Sequence, residues 1–431
     1  MAEEKNIGQM NRRKFIAGSA ALSAFLILPR HVLGGPGFLA PSDRITIGYI
    51  GCGRQAITLQ NRFANTDSQI VAACDVYRNK AVSLAAAADK LYAQKYGQSN
   101  YKNCTVHNNF TEVLDRKDVD AVVIATPDHW HAAIAVRAAQ AGKDIYCEKP
   151  LSLTIAEGRA MVDASNKHKR VFQTGSMQRS SSEFRQCVEL IRNGYLGELK
   201  EIKVAIGGPP IPYNLPEEAL PADLDWNLWL GPNEYVHYNR LLNPPLGDPA
   251  WGKWRDFKGL GGGDITDWGA HMFDIVQWAL DMDRSGPTEV YAPGTGGYEN
   301  LTYKYANGIE MKHEAFVKGR AIRFIGTEAT IDVQRGKLTT PDNLSKVVIK
   351  DSEKRVYHSD NHYTDFLDAI KSRKQPIVDV ETGHRSATVC NIGNIAIETG
   401  KALKWDPRTE KFNDGEANKL IGRKMKKEWA V

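Results

Sequence analysis

Arg44-Ile45-Thr46-Ile47-Gly48-Tyr49-Ile50-Gly51-Cys52-Gly53-Arg54-Gln55-Ala56 runs from a β-branched segment into a glycine-rich turn. The segment predicts a buried strand, and the turn has the spacing G-x-G-x-x-A. There the first glycine permits a tight bend, the second lets a pyrophosphate approach the backbone, and the small third residue lets the next helix pack on the strand. The helix amino terminus then presents unpaired N–H groups to the phosphates. Gly51, Gly53, Arg54 and Gln55 are therefore candidate cofactor contacts. A second apolar run, 69–74, delivers Asp75 about twenty residues beyond the glycines, where a carboxylate takes the ribose hydroxyls of NAD. Arg78 nearby keeps NADP as the lesser alternative, because an arginine there accepts a 2′-phosphate.

Strand and helix alternate onward from this turn. An alanine-rich helix is predicted over 79–96, a strand over 120–125, a helix over 132–141, a strand over 143–147, a helix over 155–168 and a strand over 171–175. Such alternation predicts a doubly wound parallel sheet, whose ligands lie at the strand carboxyl ends. Thr126, Pro127, Trp130 and His131 leave one such end, and Glu148-Lys149-Pro150 leaves another. A lysine pinned between a strand end and a proline can set an ammonium beside a cofactor, with a pKa tunable by partial burial. His131 reads equally well as a residue of the helix start with no role.

The second half begins with a helix over 184–193 and an alternating strand over 201–206. Positions 207–258 are rich in proline and tryptophan, including Trp226, Trp229, Trp251 and Trp254, with little periodicity. Aromatic planes suit apolar sugar faces as well as packing, so Trp254, Arg255 and the later Trp268 are substrate candidates. The run Gly261-Gly262-Gly263-Asp264-Ile265-Thr266-Asp267-Trp268-Gly269-Ala270-His271-Met272-Phe273-Asp274 opens a predicted helix. On it Asp267, His271 and Asp274 share one face at i, i+4 and i+7. A carboxylate beside an imidazole fixes its tautomer and raises its basicity, as a general base requires. Two acids and one histidine do not make a metal site. Short strands over 288–292, 300–305, 309–316, 321–325 and 330–333 predict a mostly antiparallel sheet, followed by helices over 363–372 and 385–399. The basic tail is read as a solvated surface.

Length and composition agree with this division. At 431 residues the chain exceeds one ordinary core, and 42 % hydrophobic with 25 % charged residues describes a globular protein. A net charge of +5 without aromatic residues interleaved among the basic ones excludes a nucleic-acid groove. Six scattered cysteines contain no CxxC pair, so zinc and dithiol chemistry are not indicated. Asn11-Arg12-Arg13-Lys14-Phe15-Ile16, an apolar run over 15–28 and Gly34-Gly35-Pro36-Gly37 describe a twin-arginine export signal. The apolar run is shorter than the ~18 residues of a membrane span, so no stable span is expected after processing. The expected organisation is signal and linker over 1–40, a Rossmann NAD-binding domain over 41–178, and a substrate-binding and oligomerisation domain over 179–431. Localisation is expected to be periplasmic.

Together these motifs resemble the Gfo/Idh/MocA family of oxidoreductases. The resemblance rests on the G-x-G-x-x-A turn, Asp75, Thr126 to His131, Glu148-Lys149-Pro150, the glycine-run D-x-x-x-H segment and the Gly326-Thr327-Glu328 turn. It implies an α/β fold: a Rossmann domain followed by an α/β domain whose large open, mostly antiparallel sheet mediates assembly into a homodimer or homotetramer. Lys149 is implied as a catalytic, cofactor-contacting lysine, His271 as acid/base and Asp267 as its partner. Gln178 and Arg179 are implied at the cofactor or substrate edge. The expected reaction moves a hydride between a carbohydrate or cyclitol carbon and a tightly bound nicotinamide, recycled in place because no NAD pool exists outside the cytoplasm. The alternative is an NAD-dependent glycoside hydrolase with transient oxidation of the sugar. An exported branch of the family shares Trp130-His131 but commonly lacks the lysine, so Lys149 argues against membership.

Overall fold

The computed structural model describes residues 44–431; the expected export signal lies outside them. Six strands, β1 (Ile45–Ile50), β2 (Ser68–Cys74), β3 (Thr105–His107), β4 (Ala121–Ile124), β5 (Asp144–Cys147) and β6 (Phe172–Thr174), form one sheet. Their order is β3-β2-β1-β4-β5-β6, and every pairing is parallel. β4 and β5 are buried at every residue, as expected of strands covered on both faces. The order reverses between β1 and β4, so the turn after Ile50 and the exit after Ile124 open onto the crevice that such sheets use for ligands.

Nine further strands make an open sheet: β7 (Leu199–Ala205), β8 (Glu289–Tyr291), β9 (Thr302–Lys304), β10 (Glu310–His313), β11 (Ala321–Gly326), β12 (Thr330–Gln334), β13 (Lys337–Thr339), β14 (Ala402–Asp406) and β15 (Lys411–Phe412). They run β13-β12-β11-β7-β10-β9-β8-β14-β15, antiparallel except where β10 pairs β7. β13 and β15, of three and two residues, are too short to carry a readable alternation. Helices Ser182–Arg192, Gly269–Ala279 and Val380–Thr399 cover one face through Phe184, Met272, Phe273, Val389 and Ile392, all buried.

Three local features depart from the sequence reading. The helix after β4 begins at Asp128 rather than 132, with Pro127 as its N-cap residue. Proline's fixed φ suits a helix start, so the exit loop is shorter than its polar residues imply. The segment 207–258 is a folded excursion with its own small core: Trp226 stacks on Trp229 at 4.5 Å, and Tyr238, Leu242 and Phe257 close around them. The basic tail is no loose solvated surface. Arg423 reaches the buried carboxylate of Glu157 at 2.7 Å and donates to the His129 carbonyl at 2.9 Å, while Trp429 packs edge-on against Trp130 at 4.8 Å. A half-buried arginine with a bidentate acid is a built contact and not a solvated one.

Candidate functional site

The glycine turn shows why these residues stand here. Gly51 sits at φ +87°, in the left-handed region, and a Cβ on it would lie 2.7 Å from the carbonyl of Ala125. Its N–H donates to the Cys74 carbonyl at 2.8 Å, binding β1's exit to β2's end. Gly53, the N-cap residue of helix Arg54–Ala64, has nothing within 4 Å of its would-be Cβ. Asp75 accepts from the N–H of Cys52 at 2.7 Å and from that of Tyr77 at 2.8 Å. Arg78 is occupied with Asn108 at 2.9 Å, whereas Lys80 lines the cavity beside Asp75. A fixed carboxylate at this strand end suits ribose hydroxyls and repels a 2′-phosphate.

One cavity of about 800 Å³ runs from this turn along the ends of β1, β4 and β5 to Asp264, Asp267 and His271. Gly51, Gly53, Arg54, Gln55, Asp75, Thr126, Pro127, Trp130, Glu148 and Lys149 line it, and so do Trp254, Arg255, Asp267, Trp268 and His271. The residues fit a dinucleotide: Gly53 leaves the helix start uncovered, and two buried polar atoms of the wall, Thr126 Oγ1 and His271 Nδ1, have no partner among the described residues. Gln55 donates to Glu148 at 3.0 Å, and Gly175 lets that carboxylate pass, since a Cβ there would come within 3.0 Å of it.

At the far end Lys149 donates to Asp267 twice, to its carboxylate at 2.7 Å and to its carbonyl at 3.0 Å. Burial raises the Asp267 pKa, but Lys149 and Arg255 at 3.5 Å outweigh it and hold the carboxyl below its ordinary range. Here the structure corrects the expected Asp267–His271 pair. The helix is broken: Gly263–Asp267 and Gly269–Ala279 are separate, with Trp268 between them. No hydrogen bond joins Asp267 to His271 among the described residues, and Asp267 serves the lysine. His271 instead receives a hydrogen bond on Nε2 from Arg335 at 2.8 Å, so its own proton belongs on Nδ1. Burial first, then the charges of Lys149 and Arg335, keep its pKa well below the ordinary 6.5.

Three further expected site residues stand elsewhere. Arg179 is 1 % exposed, and its guanidinium is forked onto Asp274 (2.8 and 2.9 Å) and Asp283 (2.8 and 2.9 Å). Asp274 is thereby an ion-pair partner and not a third member of a catalytic face. Gln178 is buried behind the wall, accepting from Arg335 at 2.9 Å. His131 lies between the carbonyls of Thr126 at 3.0 Å and Pro150 at 2.9 Å, only one of which can take the single N–H of the neutral ring, and so sits against the cis Lys149–Pro150 turn rather than facing the cavity. Arg179→Met is expected to cost about 3–5 kcal/mol in urea unfolding, because it leaves Asp274 buried without a counter-charge. Retained stability with lost substrate binding would return Arg179 to the site.

Sequence reasoning passes over Lys80, Asp128, Arg320 and Arg335, all on the cavity wall. Asp128 sits inside the Thr126-to-His131 segment; the two arginines come from the distant open sheet and carry no local signal. Among the described residues no cluster of His, Cys, Asp and Glu could hold a metal ion, and no helix is long and apolar enough to cross a membrane.

A parallel sheet with a dinucleotide turn, an open sheet behind a glycine-run helix, and a lysine–carboxylate pair beside a buried imidazole define a class of nucleotide-dependent oxidoreductases. Residues 45–176 match the model of the oxidoreductase family's NAD-binding Rossmann fold, and 211–431 match its C-terminal alpha/beta domain. The chain belongs to the Gfo/Idh/MocA oxidoreductase family. It is 33 % identical over 156 residues to an inositol 2-dehydrogenase of Salmonella paratyphi B, covering 35 % of this chain and 42 % of that one. It is 29 % identical over 226 residues to a glycosyl hydrolase family 109 protein of Stenotrophomonas maltophilia, covering 48 % and 46 %. The chain thus spans less than half the length of these relatives. The solved structure of a levoglucosan dehydrogenase in complex with NADH shares the fold over 84 % of this chain and 99 % of that one, with TM-score 0.55 at 20 % identity.

Proposed function

We propose that this chain is an NAD-dependent oxidoreductase acting on a hydroxyl-bearing carbon of a carbohydrate or cyclitol. The observation that carries the reading is the shared cavity: the glycine turn and Asp75 at one end, Lys149 and His271 at the other. Bound NAD would rest on Gly51, Gly53 and Asp75 and would supply a hydride acceptor. The chain's own groups handle the proton. His271, kept neutral by burial, is ready to accept it at Nε2 once the Arg335 hydrogen bond is exchanged for a substrate hydroxyl. Lys149, fixed by Asp267, supplies an ammonium for the same oxygen. The inositol 2-dehydrogenase relative supports a polyhydroxylated substrate.

Reduced-nicotinamide absorbance should rise when NAD-loaded protein meets a substrate from a panel of aldoses and cyclitols. His271→Ala should lower kcat about 10²–10⁴-fold with NAD affinity retained. Full activity in that variant, or no absorbance change with any member, would sink the assignment. The glycosyl hydrolase relative favours a second reading, transient oxidation followed by cleavage; release of p-nitrophenol from a glycoside without added NAD would establish it. Lys149 is what weighs against it. Export to the periplasm, supported by Arg12-Arg13 and the apolar run after them, and assembly through the open sheet belong to the same proposal.

A further inference from the structure

Arg335 stands in the two-residue turn between β12 and β13, where Gly336 adopts φ +71°. The hairpin carries its guanidinium back to the cavity wall. Nη2 donates to His271 Nε2 at 2.8 Å, Nε donates to Gln178 Oε1 at 2.9 Å, and the group lies 4.6 Å from the Trp268 ring centroid. Its Nη1 makes no hydrogen bond to any described residue, and among the described residues no carboxylate forms an ion pair with it. Arg320 lies against the same indole at 4.4 Å, but Asp264 holds it at 3.0 Å.

Several cations gather on the wall around the imidazole. Lys149, Arg255, Arg320 and Arg335 face it or its immediate wall, against the carboxylates of Asp264 and Asp267. Asp128, Glu148 and Asp256 line the same stretch, and burial raises the pKa of each, but none of them forms an ion pair with Arg335 among the described residues. A half-buried guanidinium with a free Nη1, and with neutral groups rather than a carboxylate as its hydrogen-bond partners, is complementary to a carboxylate. A neutral sugar hydroxyl can accept from Nη1 but leaves the guanidinium without a counter-charge.

Resting on the oxidoreductase reading, we propose that the substrate is an acidic sugar, and that its carboxylate engages Arg335 and thereby frees His271 Nε2 for the reacting hydroxyl. Arg335 is then both the specificity determinant and a latch on the base. The two roles are linked because the same guanidinium cannot give its best geometry to the imidazole and to a bidentate carboxylate together. A substrate without the acid leaves the latch closed.

The test uses full-chain, NAD-loaded protein titrated with D-glucuronate and with D-glucose, by calorimetry and by reduced-nicotinamide absorbance. Glucuronate is expected to bind at least ~10-fold more tightly, the factor set by ~1.4 kcal/mol. Arg335→Met should abolish that preference, and Arg335→Lys should restore it in part, since a point charge replaces the fork. Equal affinity for the two sugars, failure of both to bind, or a preference that survives Arg335→Met would overturn the proposal. Reduction of NAD by neutral sugars alone would overturn it too while leaving the oxidoreductase reading intact. As a further readout, Arg335→Met should move the acid limb of the kcat/KM profile to higher pH, because the imidazole loses one of the cations, Lys149 and Arg335, that disfavour its protonation. An unmoved limb would count against the latch.

Discussion

Lys149→Met is expected to lower turnover about 10²–10⁴-fold, equivalent to roughly 3–5 kcal/mol of transition-state stabilisation, with little change in folding stability. Methionine keeps most of the stem's length and apolar contact and removes only the ammonium. The loss does not strand a charge, because Asp267 retains Arg255 at 3.5 Å. The ammonium is held from two sides by one residue, at 2.7 Å and 3.0 Å, which sets its direction before any substrate arrives. Preorganised charge of this kind is worth more in a water-poor cleft than in solution. Steady-state kinetics with NAD saturating, alongside thermal unfolding, separates the outcomes. Unchanged kcat would remove Lys149 from the chemistry, and a large drop in melting temperature would make its role structural. Net glycoside cleavage persisting in the variant would favour the hydrolase reading, in which the lysine is dispensable.

The parts of this molecule governed by neighbours along the chain are legible in the sequence itself. Gly51 and Gly53 are required by a bend and by an uncovered helix start, and Asp75 follows directly from the end of β2. Continuous apolar runs such as Ala121–Ile124 have one compact solution, a strand buried on both faces. The helix Asp128–Gln140 starts earlier than its pattern implies because residues 128–136 are all buried, which erases the amphipathic signal that would mark the first turn.

Misreadings at the site have a common cause. Pairing Asp267 with His271 rests on their i, i+4 spacing, and nothing in that pattern reports that Lys149, 118 positions away, takes the carboxylate. Arg179 reads as an edge residue because it follows the last strand of the first sheet, yet its partners Asp274 and Asp283 lie about a hundred positions away. Arg335 and Arg423 reach partners that are likewise remote in the chain. Long side chains from distant elements converge only once both sheets exist, and no local rule anticipates them.

Acid is expected to destabilise the native state from about pH 6.5 downward, through histidines that are buried uncharged. Burial lowers the pKa of His129 to about 3, and those of His131 and His362 to about 4, from an ordinary 6.5. In the unfolded chain each would bind a proton below pH 6.5 that the native state refuses. The unfolded state therefore holds more protons in that window, and stability falls with falling pH until each folded pKa is reached. At pH 5 each group has forfeited about 2 kcal/mol, and the three together roughly 6 kcal/mol, a large share of a domain's usual 5–15 kcal/mol. Asp75, Asp128, Glu148 and Asp274 act in the opposite sense, since burial raises their pKa and the native state takes up protons earlier than the unfolded one. A difference measurement isolates the imidazole from that background. The His362 ring bonds to the Thr174 carbonyl at 3.1 Å and the Ser180 hydroxyl at 3.4 Å, partners a glutamine amide also satisfies. Urea unfolding of the wild type and of His362→Gln at pH 7 and pH 5 should show the variant losing about 2 kcal/mol less over that interval, whatever its fixed cost at pH 7. Parallel losses in the two proteins would mean that His362 is charged in the native state, and the account of a neutral buried imidazole would fail with it.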